Sequence, residues 1–276
     1  MARSAAGPVR RREVVILDLD GTLTDEHGNV ERAFTAAGEV AHKHAGIDAG
    51  RFAEAARATA QQAWWDEAWI DPLSDAFGLS AWDGLSEDFT GTVPALDQLR
   101  SWLPDLRRHV WSLALQEFGI SNARLTAAVG DTYIRHRHED VRLLPGAAEL
   151  VEQLGRDRRL VILSNGPADG QRRKLAVSGL QDLVLDAVIS TEVGFAKPDP
   201  RAVALAVHRA GGNTDVAIVI GDTYDRDVLG ALACHVPAIW ICGQEGQTRP
   251  ANSSVTAVDS TGEVLGALQA LEESPG

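Results

Sequence analysis

Charged side chains follow short apolar runs at separate places in this sequence. Asp18 and Asp20 come directly after Val14–Leu17, and a spacing of two places both carboxylates on one face at a strand end. The polar residues that follow the later apolar runs are Ser164, Lys197, Asp222 and Asp227. The carboxyl ends of parallel strands share one edge of a sheet, so we expect these carboxylates, the hydroxyl and the ammonium to converge on one crevice.

Such a cluster carries more negative charge than Lys197 can neutralise. At about 4 Å and an effective dielectric constant of about 20, each pair of like charges costs about 4 kcal/mol. A divalent cation is therefore expected, and all-oxygen ligation with positions open for phosphate and water suits Mg²⁺. Its Lewis acidity would stabilise charge on the oxygens of a transferring phosphoryl group. The residue types thus predict phosphoryl chemistry on an anionic substrate.

The elements that must position these residues alternate along the chain. β-Branched apolar runs, typical of strands buried on both faces, occupy 14–17, 160–163, 187–189, 217–220 and 238–241, with a weaker one at 255–258. Helical patterns lie between them at 146–155, 169–179, 200–210 and 225–234, and a last one at 262–272. This order predicts an α/β fold, a Rossmann-like, doubly wound parallel sheet.

The segment after the first strand breaks the alternation. It indicates helices near 30–45, 51–69, 95–118 and 123–138, whereas 71–94, with its Gly, Ser, Asp and Pro, is the least regular part. Six of the seven tryptophans fall in this segment, where a helical core explains them better than a binding box. We predict a catalytic core formed by 1–24 and 142–276, with an all-α cap domain inserted at 25–141.

Composition narrows the class of protein. A formal net charge of −13 disfavours nucleic acid and anionic membranes as partners. The two cysteines, Cys234 and Cys242, form neither a disulfide framework nor a zinc site. No apolar h-region opens the chain and no run is long enough to span a membrane, so a cytoplasmic location is the expectation. The sequence carries no signal for an oligomeric state.

Four segments resemble a known family when taken in order. VVILDLDGTLTD, ILSNG, GFAKPDP and GDTYDRDVLGA closely resemble the four motifs of the haloacid dehalogenase superfamily, and the helical insert resembles its C1-type cap. The resemblance covers about residues 13–24 and 142–259. Each motif alone is a weak signal, since an Asp-x-Asp-Gly-Thr turn or a Lys-Pro loop is common, but the ordered set is specific.

The resemblance implies a role for each matching residue. Asp18 would be the nucleophile that forms an aspartyl-phosphate, and Asp20 the general acid/base. Lys197 would offset charge between nucleophile and phosphate. The phosphoryl oxygens would be held by Ser164 with neighbouring groups of Gly21, Thr22, Asn165 and Gly166. Mg²⁺ would be bound by Asp18, the backbone carbonyl of Asp20, Asp222 and, in support, Asp227.

Two positions refine the comparison with that family. Its members that cleave carbon–halogen bonds lack an aspartate at the position of Asp20, so its presence favours phosphoryl transfer. His235 departs from the pattern, because the family usually has glycine there, which leaves the local turn open. The cap would select the leaving group, and Arg135 and Arg137, followed by Trp64, Trp65 and Trp69, are its first residues to test. A solvated or dipole-stabilised helix end is the simpler explanation of the two arginines.

Three functions remain open at this point. The first is a phosphatase of a small phosphorylated metabolite such as a sugar phosphate, a nucleotide or a pathway intermediate. The second is a phosphomutase that returns the phosphoryl group to a bound intermediate. The third is a binding protein without activity on the same fold, which the intact Asp18, Asp20, Lys197 and Asp222 disfavour.

Overall fold

The computed structural model describes residues 12–243 and 252–273. The N-terminal residues 1–11, on which the prediction of no signal peptide depends, lie outside the described part, as do 244–251 and 274–276. Within the described part, the helices are all too short or too polar to cross a lipid bilayer.

Six parallel strands form one sheet in the order β3-β2-β1-β4-β5-β6. The strands are β1 (Val14–Leu17), β2 (Arg159–Ser164), β3 (Asp186–Ile189), β4 (Ala217–Gly221), β5 (Ala238–Ile241) and β6 (Val255–Val258). The central strand β1 is fully buried and pairs in register with β2 and β4, with Val14 opposite both Arg159 and Ala217. The predicted α/β fold and its parallel sheet are confirmed, and β1, β5 and β6 have the predicted bounds.

Six of the helices between β1 and β2 form the insert that was predicted as a cap. They are α1 (Glu26–Ala45), α2 (Ala49–Trp65), α3 (Ile70–Phe77), α4 (Ala81–Ser86), α5 (Asp97–Gln116) and α6 (Ala123–Glu139). Their apolar faces share a core of their own, in which the largest fully buried side chains include Trp64, Phe34 and Tyr133. Tryptophans thus contribute mainly to packing, as predicted. The all-α character of the insert is confirmed, while the domain boundaries at 24/25 and 141/142 stay a prediction.

The remaining helices cover the two faces of the sheet. They are α7 (Ala147–Gly155), α8 (Ala168–Val177), α9 (Ser190–Val193), α10 (Pro200–Arg209), α11 (Leu229–Ala233) and α12 (Val264–Glu273). Val15 and Leu17 of β1 pack on the face that α7, α8 and α12 cover, and Val14 and Ile16 on the face of α10 and α11. The alternation of side chains along β1 therefore gives the two apolar layers of a doubly wound sheet.

Two local predictions need correction. The segment predicted as irregular contains α3 and α4, and α4 begins with a capping box in which Ser80 and Asp83 exchange side-chain-to-backbone hydrogen bonds. The helix predicted at 225–234 is split into a π-helical turn (Tyr224–Val228) and the short α11. At His235 the backbone has a φ of 57°, the left-handed conformation that explains the usual glycine at this position.

Candidate active site

The strand order reverses beside β1, which lies between β2 and β4. In an open parallel sheet this reversal opens a crevice at the carboxyl ends of the strands. A cavity of about 250 Å³ lies there, with walls formed by loops from the sheet and by one loop of the cap. Its lining residues are Asp18, Asp20, Gly78, Leu79, Ser164, Asn165, Lys197, Thr223, Arg226 and Asp227. Two larger clefts on the cap surface contain none of the motif residues.

Asp18 is buried where β1 ends. Its backbone N–H donates to the carbonyl of Ile220 at 2.9 Å, so the pairing of β1 with β4 extends to Asp18 itself. Lys197 Nζ lies 2.5 Å from Asp18 Oδ1 and 2.6 Å from Asp227 Oδ1. Burial alone would lower the pKa of Lys197, but the carboxylates of Asp18 and Asp227 outweigh burial and raise it. Lys197 is therefore a permanently charged bridge between two buried carboxylates.

Three carboxylates converge beside this lysine. Oxygens of Asp18, Asp222 and Asp227 lie within 4.8 Å of one another, an arrangement that could hold a metal ion. Burial, with the charges of Asp18 and Asp227, raises the pKa of Asp222 to about 8, because the cluster has more negative charge than its surroundings neutralise. Hard oxygen donors with unmet negative charge fit Mg²⁺.

Gly21 and Thr22 shape this cluster from the loop after β1. Gly21 has a φ of +83°, and a Cβ there would lie 2.4 Å from Asp222 Oδ2, so only glycine fits. The hydroxyl of Thr22 is within 3.3 Å of Asp18 Oδ2 and 3.1 Å of Asp222 Oδ1. Both residues were predicted to bind phosphate, and in this structure their close contacts are with the carboxylates.

The carboxylate of Asp20 lies apart from the three clustered carboxylates. Lys174 Nζ donates to both of its oxygens at 2.8 Å, Gln171 Nε2 donates to Oδ2 at 2.7 Å, and Thr24 Oγ1 donates to Oδ1 at 2.9 Å. Burial raises the pKa of Asp20, and the charge of Lys174 opposes that shift. Asp20 was predicted to reach the metal through its backbone carbonyl, and its side chain is available for other chemistry.

Lys174 also connects the site to the cap. Its Nζ is 2.7 Å from Glu26 Oε2 at the start of α1, and Glu26 Oε1 is 2.7 Å from Arg137 Nη2 in α6. Burial would raise the pKa of Glu26, but Lys174 and Arg137 lower it to about 2. A chain of charges therefore runs from Asp20 in the core to Arg137 in the cap.

The loop after β2 lines the cavity and also holds neighbouring backbone in place. Ser164 lines the cavity, and its Oγ accepts from Gln171 Nε2 at 2.6 Å. Asn165 uses its side chain to hold the backbone of Lys197, accepting from the N–H at 2.9 Å and donating to the carbonyl at 3.0 Å. The N–H of Gly166 donates to the carbonyl of Phe77 at 3.0 Å. Of the residues predicted here to hold phosphate, Ser164 and Asn165 line the cavity, whereas the N–H of Gly166 is bonded to the cap.

The cap reaches the cavity through the loop after α3. Gly78 has a φ of +71°, and a Cβ there would lie 2.6 Å from the Cβ of Asn165. The preceding carbonyl, that of Phe77, also accepts from Ser190 Oγ at 2.7 Å. These contacts press Gly78 and Leu79 against the core, so this loop is the part of the insert that lines the cavity.

The cap residues singled out from the sequence are placed elsewhere. Arg137 is buried and pairs with Glu26 and, at 3.7 Å, with Asp83. Trp64 is fully buried, and Trp65 is 53% exposed on the surface. None of these side chains, nor Arg135 or Trp69, lines the cavity. The structure therefore moves the candidate specificity region from the α6 end and the tryptophans to the loop after α3.

Lys174, Gln171 and Glu26 are site residues that the sequence analysis missed. Gln171 and Lys174 are three apart on α8, so they share one helix face. That spacing was visible in the sequence, but nothing local indicates that this face meets Asp20, which is more than 150 residues away.

Comparisons with known proteins identify the family of the chain. Residues 13–235 match the haloacid dehalogenase-like hydrolase family. Phosphoserine phosphatase from Thermus thermophilus is 34% identical over 230 residues, which make up 83% of this chain and 88% of that protein. Pyrimidine 5′-nucleotidase YjjG from Escherichia coli is 28% identical over 193 residues, which make up 64% of this chain and 86% of that protein.

Solved structures share the fold. The HAD-hydrolase YfnB from Bacillus subtilis, solved with bound magnesium, superposes with a TM-score of 0.61 at 19% identity, covering 94% of this chain and 100% of that one. At that identity the structural similarity shows the fold alone. The class of reaction is indicated by the family match and by the phosphatase relatives. The chain therefore belongs to the haloacid dehalogenase-like hydrolases, and it is an enzyme of their phosphomonoester-hydrolysing branch.

Proposed function

We propose that the chain is a Mg²⁺-dependent phosphatase that hydrolyses a small phosphomonoester through an aspartyl-phosphate on Asp18. One observation carries the proposal. The buried Asp18 lines the cavity, with Lys197 Nζ at 2.5 Å and with oxygens of Asp222 and Asp227 close enough to share a metal ion with it. A carboxylate held between an ammonium and a cation site is aimed at an electrophile that is itself anionic.

In the first step an oxygen of Asp18 attacks phosphorus, and the bond from phosphorus to the ester oxygen breaks. Lys197 opposes the charge that gathers between the carboxylate and the phosphoryl oxygens. The Ser164 hydroxyl lines the same cavity and can donate to a phosphoryl oxygen. The product is an acyl phosphate on Asp18, which divides one difficult displacement into two easier ones.

Asp20 would act as general acid in the first step and as general base in the second. As an acid it gives its proton to the departing ester oxygen, and as the resulting base it takes a proton from the water that attacks phosphorus. In the present arrangement its oxygens accept from Lys174, Gln171 and Thr24, which stabilises the ionised form. Use as an acid therefore requires the carboxyl to turn from Lys174 towards the leaving group.

The residues that would hold Mg²⁺ are Asp18, Asp222 and Asp227, with the backbone of Asp20 as a further predicted ligand. A bound Mg²⁺ would act as a Lewis acid on the phosphoryl oxygens. Burial and the neighbouring charges of Asp18 and Asp227 raise the pKa of Asp222, and this clustering of buried carboxylates supports a divalent cation at this position.

A small substrate agrees with the size of the cavity, about 250 Å³. O-Phosphoserine is the first compound to test, because the phosphoserine phosphatase relative is 34% identical over most of both chains. A phosphomutase shares the same four motifs, so the assay must separate isomerisation from hydrolysis.

The test is phosphate release from a panel of phosphorylated metabolites, with Mg²⁺ and with excess EDTA. We expect release that needs Mg²⁺ and is restored when Mg²⁺ is added back. Full turnover in EDTA would contradict the metal requirement. A hexose 1-phosphate in the panel that yields its isomer rather than free phosphate would favour the mutase.

A further inference from the structure

The cations that face the cavity differ in whether they have partners. Lys197 is bonded to Asp18 and Asp227, and behind the cavity wall Lys174 is bonded to Asp20 and Glu26. Both ammonium groups are therefore neutralised by the protein's own carboxylates.

Arg226 is different. It lines the same cavity as Asp18 and Lys197 and is half-buried there. Among the residues that the structure describes, no carboxylate, carbonyl or ring contacts its guanidinium, although arginines elsewhere in the chain are commonly paired. A guanidinium held at a cavity wall with its donors unused is prepared for an acceptor that arrives with the substrate.

The local backbone explains why the side chain stands there. Arg226 belongs to the π-helical turn Tyr224–Val228, a rare wide turn of a kind that is frequent at functional sites. The next residue, Asp227, is buried against Lys197. The turn thus sends Asp227 into the ionic cluster and leaves Arg226 at the open cavity.

The negative charge of the site indicates which ligand group Arg226 would bind. The chain carries a net charge of −13, and the cavity or its floor holds several carboxylates, so a second anionic group on a substrate would be repelled without a dedicated cation. The cap side of the cavity, formed by Gly78 and Leu79, offers no charge. A neutral leaving group would offer the guanidinium only single, neutral acceptors, whereas a carboxylate matches its planar fork with two parallel, charge-assisted hydrogen bonds.

We propose that Arg226 binds a carboxylate on the leaving group, so that the substrates are small phosphomonoesters of hydroxy acids or hydroxy-amino acids. The small cavity requires that carboxylate to lie a few bonds from the ester oxygen. The inference rests on the proposed phosphatase function and adds to it the class of leaving group.

Two pairs of esters test this directly. O-Phosphoserine and O-phosphoethanolamine differ only by the carboxylate. 3-Phosphoglycerate and glycerol 3-phosphate differ by a carboxylate in place of a hydroxymethyl group. Hydrolysis of all four is measured with the wild-type protein, with Arg226→Met, and with Arg156→Met. Arg156 is an exposed arginine after α7, at the sheet edge opposite the site, so it controls for the change in overall charge.

We expect the wild type to prefer each carboxylate ester over its partner by about 10- to 100-fold in kcat/KM, the value of a charge-assisted bond. Arg226→Met should reduce that preference to about threefold or less, while Arg156→Met keeps it. A wild-type protein that hydrolyses both members of each pair equally, or an Arg226→Met variant that keeps the preference while its melting temperature is unchanged, would overturn the inference.

A binding measurement separates this result from a failure of the phosphatase proposal. Affinities of the same four esters are measured by calorimetry with Mg²⁺ present, in an Asp18→Asn background so that the esters are not consumed, with and without Arg226→Met. If the protein releases no phosphate from any ester, the phosphatase proposal fails, yet binding that depends on both the carboxylate and Arg226 still supports the subsite. Equal affinity within both pairs overturns the subsite whether or not hydrolysis occurs.

Discussion

Two of the three lysines in the chain are buried, and each bridges two carboxylates. Lys197 joins Asp18 and Asp227, which both belong to the core. Lys174 joins Asp20 in the core to Glu26 in the cap. The third lysine, Lys43, is exposed at the end of α1.

The two lysines differ in where their partners lie, and this difference indicates two different roles. A buried ammonium is costly unless it is paired, so both lysines stabilise the carboxylates around them. Lys197 has both of its partners at one edge of the sheet and holds Asp18, the proposed nucleophile. The ion pair between Lys174 and Glu26 depends on the position of the cap, because movement of α1 would change the distance between the two side chains. The ion pair of Asp18 therefore lies within the core, whereas the ion pair of Asp20 leads through Lys174 to Glu26 in the cap.

The largest expected effect belongs to the nucleophile. Asp18→Asn keeps the shape of the side chain but removes its charge, and we expect activity to fall by about 10³-fold or more. Phosphate release per active protein is the measurement, with Mg²⁺ saturating. Near-normal release from a folded variant would show that another group attacks phosphorus.

Lys197→Met should come next. Loss of this ammonium leaves Asp18 and Asp227 without their shared counter-charge, and we expect kcat to fall by about 10²- to 10³-fold. The fall should be similar for alkyl esters and for p-nitrophenyl phosphate, because Lys197 acts on the phosphoryl group that all substrates share. Lys43→Met is the matched control and should behave as the wild type.

Lys174→Met should have a smaller effect of a different kind. Since Lys174 orients Asp20, we expect about a tenfold loss with alkyl esters and a lesser loss with p-nitrophenyl phosphate, whose leaving group needs no proton. Asp20→Asn should show the same dependence on the leaving group, more strongly. If Lys174→Met lowers the activity on both kinds of substrate equally, as is expected of Lys197→Met, the proposed difference between the two lysines is wrong.

The smallest effect on activity and the clearest effect on stability are expected for Glu26→Gln. The pKa of Glu26 is about 2 in the folded chain against 4.5 ordinarily, so its contribution is full above pH 4.5 and is lost as the pH falls towards 2. At neutral pH the variant should lose on the order of 2–3 kcal/mol of unfolding free energy. Urea unfolding at several pH values measures this, and a gap from the wild type that stays constant down to pH 3 would contradict it.

The sequence predicted the sheet well because buried parallel strands have an unmistakable composition. The bounds of Val14–Leu17 and Ala238–Ile241 follow from unbroken apolar runs. It missed α3 and α4 because both are short, with 8 and 6 residues, and depend on cap packing for their stability. The Ser80-x-x-Asp83 capping box was a local signal that could have located α4.

The candidate site was predictable where its residues follow strands. Asp18, Ser164 and Asp222 lie at strand ends, so topology alone brings them to one edge. Lys174 and Glu26 lie on helices, and their meeting with Asp20 depends on how α8 and the cap pack, which no local pattern encodes. Arg137 shows the same limit, because its burial against Glu26 could not be told from a solvated helix end.

The central claim is the covalent step on Asp18, and one measurement tests it most directly. Asp20→Asn protein is mixed with p-nitrophenyl phosphate and Mg²⁺, quenched in acid within a single turnover, digested with pepsin and examined by mass spectrometry. We predict one phosphoryl group on the peptide that contains Asp18, accumulating in this variant and absent from Asp18→Asn. A phosphoryl group on another residue such as Ser164, or a burst of p-nitrophenol with no phosphorylated peptide, would contradict the account.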